Sequence, residues 1–137
     1  MLGKIEHVAI AVEDLDVALA HYKDTWGLEP TSRERVEEQG VEEAMLPLGD
    51  SHLQLLAGTG PDTTVGKFVA RRGEGLHHIA YEVDDLEATL ADLKTKGVPL
   101  IDESPRTGGR GHSVAFVHPK GNHGLLVELI QRPHRGD

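Results

Sequence analysis

The sequence contains no cysteine, and it has no long apolar run. Without cysteine there can be no disulfide framework and no thiolate metal site, so any metal must bind His, Asp, Glu, Asn or Gln. No stretch approaches the roughly 20 apolar residues that span a bilayer, and the start MLGKIEHVAI lacks the apolar segment of a signal peptide. We therefore expect a soluble, cytoplasmic protein without a membrane partner.

Positive charge is also scarce, because the formal net charge is −9. This balance argues against a nucleic-acid partner, since such proteins neutralise phosphates with a basic face. A small anionic ligand remains compatible with local basic groups, although a solvated surface explains each of them alone. These groups are Arg33, Arg35, Arg71, Arg72, Arg106, Arg110 and Lys120. The residues that would contact a nucleotide are not identified by this pattern.

One segment occurs twice with conservative changes. HVAIAVEDLDVALA begins at His7 and HIAYEVDDLEATLA begins at His78, and 7 of the 14 aligned positions are identical. Each copy predicts a strand, an acidic pair and an amphipathic helix that ends near Gly27 or Gly97. The chain therefore contains a duplicated β-then-α unit.

Three further strands are predicted after each helix. They cover about 32–38, 41–48 and 52–57 in the first half, and about 98–103, 112–119 and 124–131 in the second half. The chain thus predicts two tandem βαβββ modules of the α+β class, at about 3–57 and 76–131, joined by a linker at 58–75. With 137 residues, we expect residues 1–137 to form a single domain.

Alternation along the strands sorts the candidate polar residues by face. His7 shares a face with Ala9 and Ala11, and the helix can cover the other face, which carries Val8, Ile10 and Val12. His78 occupies the position equivalent to His7 in the second copy, where the opposite face carries Ile79, Tyr81 and Val83. In the last strand of each module, Gln54 of LQLL corresponds to Glu128 of VELI. A carboxylate among apolar neighbours is costly to bury by several kcal/mol unless it is paired, protonated or bound to a cation.

Two histidines, one glutamate and one glutamine form a ligand set typical of a divalent metal, provided that the strands converge. For a single strand histidine, a hydrogen-bonded structural role is the more common explanation. The symmetry of His7 and His78 together with Glu128 favours a metal, whereas Gln54 is a weaker candidate because amides ligate poorly. We interpret His52 and His77 as structural. Solvation is the default expectation for His21, His112, His118, His123 and His134.

The chain resembles the vicinal oxygen chelate superfamily, and within it the methylmalonyl-CoA epimerase family. The segments that carry the resemblance include IEHVAIAVEDLDVAL, EEQGVEEAMLPLG, GLHHIAYEVDD and VHPKGNHGLLVELIQ. The resemblance implies a curved, cup-like mixed sheet with helices on its outer face. It also implies a homodimer and a divalent metal, cobalt first, with manganese, nickel, zinc or magnesium as alternatives. The implied metal ligands are His7, Gln54, His78 and Glu128.

The resemblance further implies interconversion of (2R)- and (2S)-methylmalonyl-CoA, an acyl-CoA substrate, through a metal-stabilised enolate, as in propionate metabolism. Glu43 would be the catalytic base and Glu128 the second catalytic acid or base, with a bound water as its rival. The residues alone leave Glu42 and Glu43 open as solvated edge carboxylates. They also leave the glycine-rich segment RTGGRGH (106–112) open as a mobile flap or a hairpin.

Three other functions are compatible with such a ligand set. One is a glyoxalase I-like lactoylglutathione lyase, which acts on a glutathione hemithioacetal. Another is an extradiol dioxygenase, which needs two histidines and one carboxylate and leaves position 54 without a role. The third is a metal-free antibiotic-binding protein of the same fold. In such a protein we expect the metal-ligand positions to carry other residue types, whereas His7, His78 and Glu128 are all present here.

Overall fold

The computed structural model describes residues 2–132, so the expectation for His134 lies outside the described residues. These residues form an α+β structure, as the sequence predicts. The strands are β1 (Leu2–Ala11), β2 (Ser32–Val36), β3 (Val41–Leu48), β4 (Ser51–Gly58), β5 (Gly75–Val83), β6 (Arg106–Thr107), β7 (Ser113–Val117) and β8 (Val127–Gln131). The helices are α1 (Leu15–Trp26), α2 (Thr64–Arg72) and α3 (Leu86–Thr95). Among the described residues, none of the helices has both the length and the apolar character to cross a membrane.

The strands belong to one eight-stranded mixed sheet in the order β2-β3-β4-β1-β5-β8-β7-β6. The first strand of each module pairs in parallel with the last strand of the same module, and the other described pairings are antiparallel. The two parallel pairs have equivalent registers, because Ala9 lies opposite Gln54 and Ala80 lies opposite Glu128. The predicted duplication is therefore confirmed in three dimensions.

The chain forms two compact units, and one of them comprises His7–His77. In this unit the Asp14 side chain caps α1 by accepting a hydrogen bond from the Val17 backbone N–H at 3.1 Å. Ile10 and Val12 pack in the same apolar cluster as Leu15 of α1. The predicted helix-facing side of the first strand is therefore confirmed.

The expected linker contains the helix α2, which the sequence analysis did not predict. Thr63 caps its first turn by accepting from the Gly66 N–H at 3.0 Å. Val65 is buried at 3% exposure in a cluster with Ala9 and Ala11 of β1, and Phe68 packs against that cluster. The apolar spacing of residues 65, 68 and 69 is helical, but the Gly, Pro and Thr residues of the segment are more typical of a loop and obscure this signal.

Within the described part of the chain, the other compact unit comprises residues 2–6 and 78–132. The Asp85 side chain caps α3 by accepting from the Ala88 N–H at 3.0 Å, which repeats the cap of α1. Val83, Leu86 and Leu90 are buried in one cluster with the apolar side of β7 and β8, and Tyr81 packs against it. The predicted faces of the second copy are thus confirmed.

The predicted strand at 98–103 is wrong. Leu100 makes only an isolated bridge to Val117, and the outermost strand of this module is the short β6 instead. A few backbone hydrogen bonds remain between this segment and β7, such as that from the Ile101 N–H to the Phe116 carbonyl, but the Phe116 N–H donates to the Asp102 carboxylate at 2.8 Å. Nearby prolines at 99 and 105 lack the N–H that a regular ladder requires.

Candidate active site

His78 and Glu128 form a buried pair in the second module. His78 lies on β5 and Glu128 on β8, and their exposed fractions are 3% and 8%. The His78 Nε2 and Glu128 Oε1 atoms are 3.1 Å apart, and the Phe116 ring meets the His78 ring edge-on at 5.4 Å between centroids. The carboxylate that was expected to need compensation therefore has an imidazole partner.

His7 and Gln54 occupy the corresponding positions of the first module. His7 is 2% exposed on β1, and Gln54 is 5% exposed on β4. Ala9, two residues after His7, lies opposite Gln54 on β4. Ala80, two residues after His78, lies opposite Glu128 on β8. Equal registers and equal parity place each pair on one face of its own unit.

Glu43 also lies on the face that carries Gln54. Glu43 is 5% exposed, and its Oε2 accepts a hydrogen bond from Gln54 Nε2 at 2.9 Å. Its neighbour Glu42 points to the opposite side of β3, where its Oε1 pairs with Arg33 Nη2 at 2.6 Å. Of the two adjacent carboxylates, the structure brings Glu43 to Gln54 and Glu42 to a partly exposed ion pair.

His7, His78 and Glu128 form a cluster that could hold a metal ion. One ligand atom from each side chain lies within 4.8 Å of the other two, and all three side chains are buried. Imidazole nitrogens and a carboxylate oxygen suit divalent transition metals.

The buried side-chain oxygen of Gln54 shows whether this residue could bind the same metal ion. Gln54 Oε1 is buried and accepts no hydrogen bond within the described chain. A buried acceptor left in this state costs about 1–3 kcal/mol, and coordination to a cation would remove that cost. The donor chemistry of all four side chains therefore fits a divalent ion.

The remaining histidines differ in their environments. His77 packs its ring against Phe68 at 4.8 Å between centroids, and His52 lies beside His7 in the β1–β4 register. His21 and His123 are exposed, as expected. The solvated default is wrong for His112 and His118, which are half-buried because they belong to structured turns.

The sequence analysis did not predict a partly buried ion pair between Glu6 of β1 and Arg110. Arg110 Nη2 lies 3.0 Å from Glu6 Oε1, and Glu6 is only 7% exposed. The segment 106–112 forms β6 and a short helical turn, which agrees with the hairpin alternative. Burial and the positive charge of Arg110 lower the pKa of the neighbouring His112. The separation of 104 residues between Glu6 and Arg110 leaves no local sequence signal.

Comparison with known proteins extends these observations. Human mitochondrial methylmalonyl-CoA epimerase is 39% identical over 131 residues, which cover 95% of this chain and 74% of that protein. The structure of a Streptomyces coelicolor methylmalonyl-CoA epimerase variant in complex with 2-nitronate-propionyl-CoA matches with a TM-score of 0.90 and 44% identity, covering 96% of this chain and 95% of that one. A methylmalonyl-CoA epimerase in complex with methylmalonyl-CoA and NH4+ matches with the same TM-score, identity and coverage.

The model of one protein family matches residues 6–116, which is most of the chain. The match includes the β1 and β5 histidines and the strands that carry Gln54 and Glu43. The chain belongs to the glyoxalase/bleomycin resistance protein/dioxygenase superfamily.

Proposed function

We propose that this protein is a methylmalonyl-CoA epimerase that interconverts the (2R) and (2S) forms of its substrate. The observation that carries the proposal is the buried group of His7, His78 and Glu128. Within the first module, Gln54 also donates a hydrogen bond to Glu43. The similarity to methylmalonyl-CoA epimerases across nearly the whole chain supports the same assignment.

His7, Gln54, His78 and Glu128 are the proposed metal ligands. They supply two imidazole nitrogens, one amide oxygen and one carboxylate oxygen, and this mixture suits cobalt, manganese, nickel or zinc better than a thiolate-preferring metal. We propose cobalt as the physiological ion. A divalent ion in this site would supply positive charge that stabilises the substrate oxygens as they become negative in the transition state.

Glu43 is the proposed general base. It would remove the proton from the carbon between the thioester and the carboxylate, which is acidic because both neighbouring carbonyl groups delocalise the resulting negative charge. The hydrogen bond from Gln54 Nε2 fixes the direction of the Glu43 carboxylate. In this proposal Gln54 therefore serves two groups, with its oxygen on the metal and its nitrogen on the base.

Glu128 is the proposed acid on the opposite face of the substrate. It would return a proton to the carbon, so that each turnover breaks one C–H bond and forms another with inverted configuration. Its Oε1 lies near His78 Nε2, and proton donation would fall to the other carboxylate oxygen. In the reverse direction the two glutamates exchange roles, as microscopic reversibility requires.

We further propose that the chain is one domain built from the two modules, that it forms a homodimer, and that it works in the cytoplasm in propionate metabolism. The resemblance to the epimerase family supports these assignments. Sedimentation equilibrium of the purified protein tests the homodimer. The measured mass should be twice the chain mass of 14.9 kDa. A mass equal to one chain would contradict it.

Deuterium exchange tests the proposed reaction. Methylmalonyl-CoA incubated with the protein and cobalt in deuterated water should gain deuterium at the carbon between the two carbonyl groups, and chelation should stop the exchange. A parallel assay with a glutathione hemithioacetal tests the lyase alternative. Absence of exchange together with turnover of the hemithioacetal would contradict the epimerase assignment.

A further inference from the structure

The basic residues of α2 differ from most others in this acidic chain. Ion pairs with carboxylates are formed by Lys23, Arg33, Arg35, Lys94, Lys96, Arg106, Arg110 and Arg132. Within residues 2–132, the side chains of Lys67, Arg71 and Arg72 take part in no ion pair. Three cations without carboxylate partners therefore lie within six consecutive positions of a protein whose net charge is −9.

The position of α2 is fixed by close packing. A Cβ atom built on Gly58 would lie 2.7 Å from the Gly66 backbone nitrogen, so the start of α2 touches the end of β4. Val65 is buried against Ala11 and Leu56 in the first unit. In the β1–β4 register Leu56 lies opposite Ala11, two positions beyond the Ala9–Gln54 pair, so α2 covers the face that also carries Gln54.

The cations on α2 point away from this packed side. Lys67 and Arg71 are exposed and one helical turn apart, so their charged groups are neighbours on one helix face. Arg72 lies over the Phe68 ring, with 5.4 Å between its guanidinium carbon and the ring centroid. The helix dipole would explain basic residues in the last turn, but Lys67 is the fourth residue of this nine-residue helix.

We propose that Lys67, Arg71 and Arg72 bind the phosphate groups of the coenzyme A nucleotide. This inference rests on the proposed function, because the acyl-CoA substrate is what supplies these phosphates. A protein with a large negative charge repels such a polyanion, and cations without internal carboxylate partners offset that repulsion. The flexible pantetheine arm joins these phosphates to the thioester. In the proposed complex this arm would extend along the sheet face that α2 covers, towards Gln54 and Glu43.

Calorimetric titration with coenzyme A tests the inference without turnover. The double variant Lys67→Gln/Arg71→Gln should raise the Kd for coenzyme A about 5- to 30-fold, because charge-assisted contacts to phosphate are lost. Glutamine keeps a high helix propensity, so the helix should remain folded. Lys120→Gln is the matched control, because Lys120 also forms no ion pair in the described chain, and this change should leave the Kd unaltered.

Kinetics with two substrates separates this inference from the proposed function. For methylmalonyl-CoA the double variant should raise KM with kcat unchanged, whereas for the methylmalonyl thioester of N-acetylcysteamine, which lacks the nucleotide, both constants should match the wild type. A double variant with wild-type affinity for coenzyme A would overturn the phosphate site and leave the epimerase assignment intact. Coenzyme A binding through α2 without deuterium exchange would instead contradict the epimerase assignment alone.

Discussion

Glu43→Gln should abolish most of the epimerase activity while leaving the fold and metal site in place. Glutamine has nearly the same shape as glutamate but cannot accept a proton at neutral pH. The side chain is 5% exposed and receives the Gln54 Nε2 hydrogen bond at 2.9 Å, and the amide oxygen of the new residue can accept the same bond. Loss of a positioned general base lowers rates by about 100- to 10,000-fold.

Glu42→Gln is the matched control for this prediction. It removes one negative charge at the adjacent position, but Glu42 lies on the other side of β3 against Arg33. A partly exposed ion pair of this kind contributes at most about 1 kcal/mol, so stability should change little and exchange should not change. The assay is deuterium incorporation into methylmalonyl-CoA, with cobalt content measured on the same samples. Glu43→Gln with full activity, or with loss of its metal, would refute the assignment of Glu43 as the base.

Three other substitutions test separate parts of the structure. Gln54→Glu keeps an oxygen ligand but puts a second carboxylate beside Glu43. Metal content should therefore persist, while deuterium exchange into methylmalonyl-CoA falls at least about tenfold. Unchanged exchange would refute the role of Gln54 in positioning Glu43. Asp85→Ala removes an N-cap and should cost about 1 kcal/mol, seen as a melting temperature lower by about 3–5 °C, and an unchanged melting temperature would contradict the cap. The folded-state pKa of His112 is lowered from its ordinary value of 6.5 by burial and by Arg110, so the unfolded chain binds more protons as pH falls below 6.5. Wild type should therefore lose more stability than His112→Gln between pH 7 and about pH 5 in urea unfolding experiments, and parallel pH profiles would contradict this.

Much of the fold follows from the duplication in the sequence. Alternation along each repeated strand separates the helix-facing side chains from His7 and His78, and the structure confirms this separation in both units. The correspondence of Gln54 with Glu128 is also confirmed, because equal spacing in sequence gives equal register in the two parallel pairs. Local periodicity was sufficient for these features.

Features that depend on distant or side-chain partners were not predictable in this way. The strand expected at 98–103 is reduced to an isolated bridge, and the Phe116 N–H donates to the Asp102 carboxylate, a contact that nothing in the local pattern indicates. The pair of Glu6 and Arg110 joins positions 104 residues apart. The α2 helix is different, since its cap at Thr63 and its apolar spacing were present in the sequence.

The candidate site also contains features that the local sequence pattern does not determine. Parity alone left Glu42 and Glu43 equivalent, and the resemblance to the epimerase family selected Glu43. The structure adds a physical distinction, because Arg33 engages Glu42 whereas Gln54 engages Glu43. The buried Gln54 oxygen without a hydrogen bond is likewise visible only in three dimensions.

Cobalt binding by the wild type and by ligand variants tests the central claim most directly. After loading and dialysis, wild type should retain one cobalt ion per chain, and His7→Asn, His78→Asn and Glu128→Gln should each lose it. His77→Asn is the adjacent control, because His77 packs on Phe68, and it should keep the ion. Full retention of cobalt by all three ligand variants would contradict a site built from these side chains.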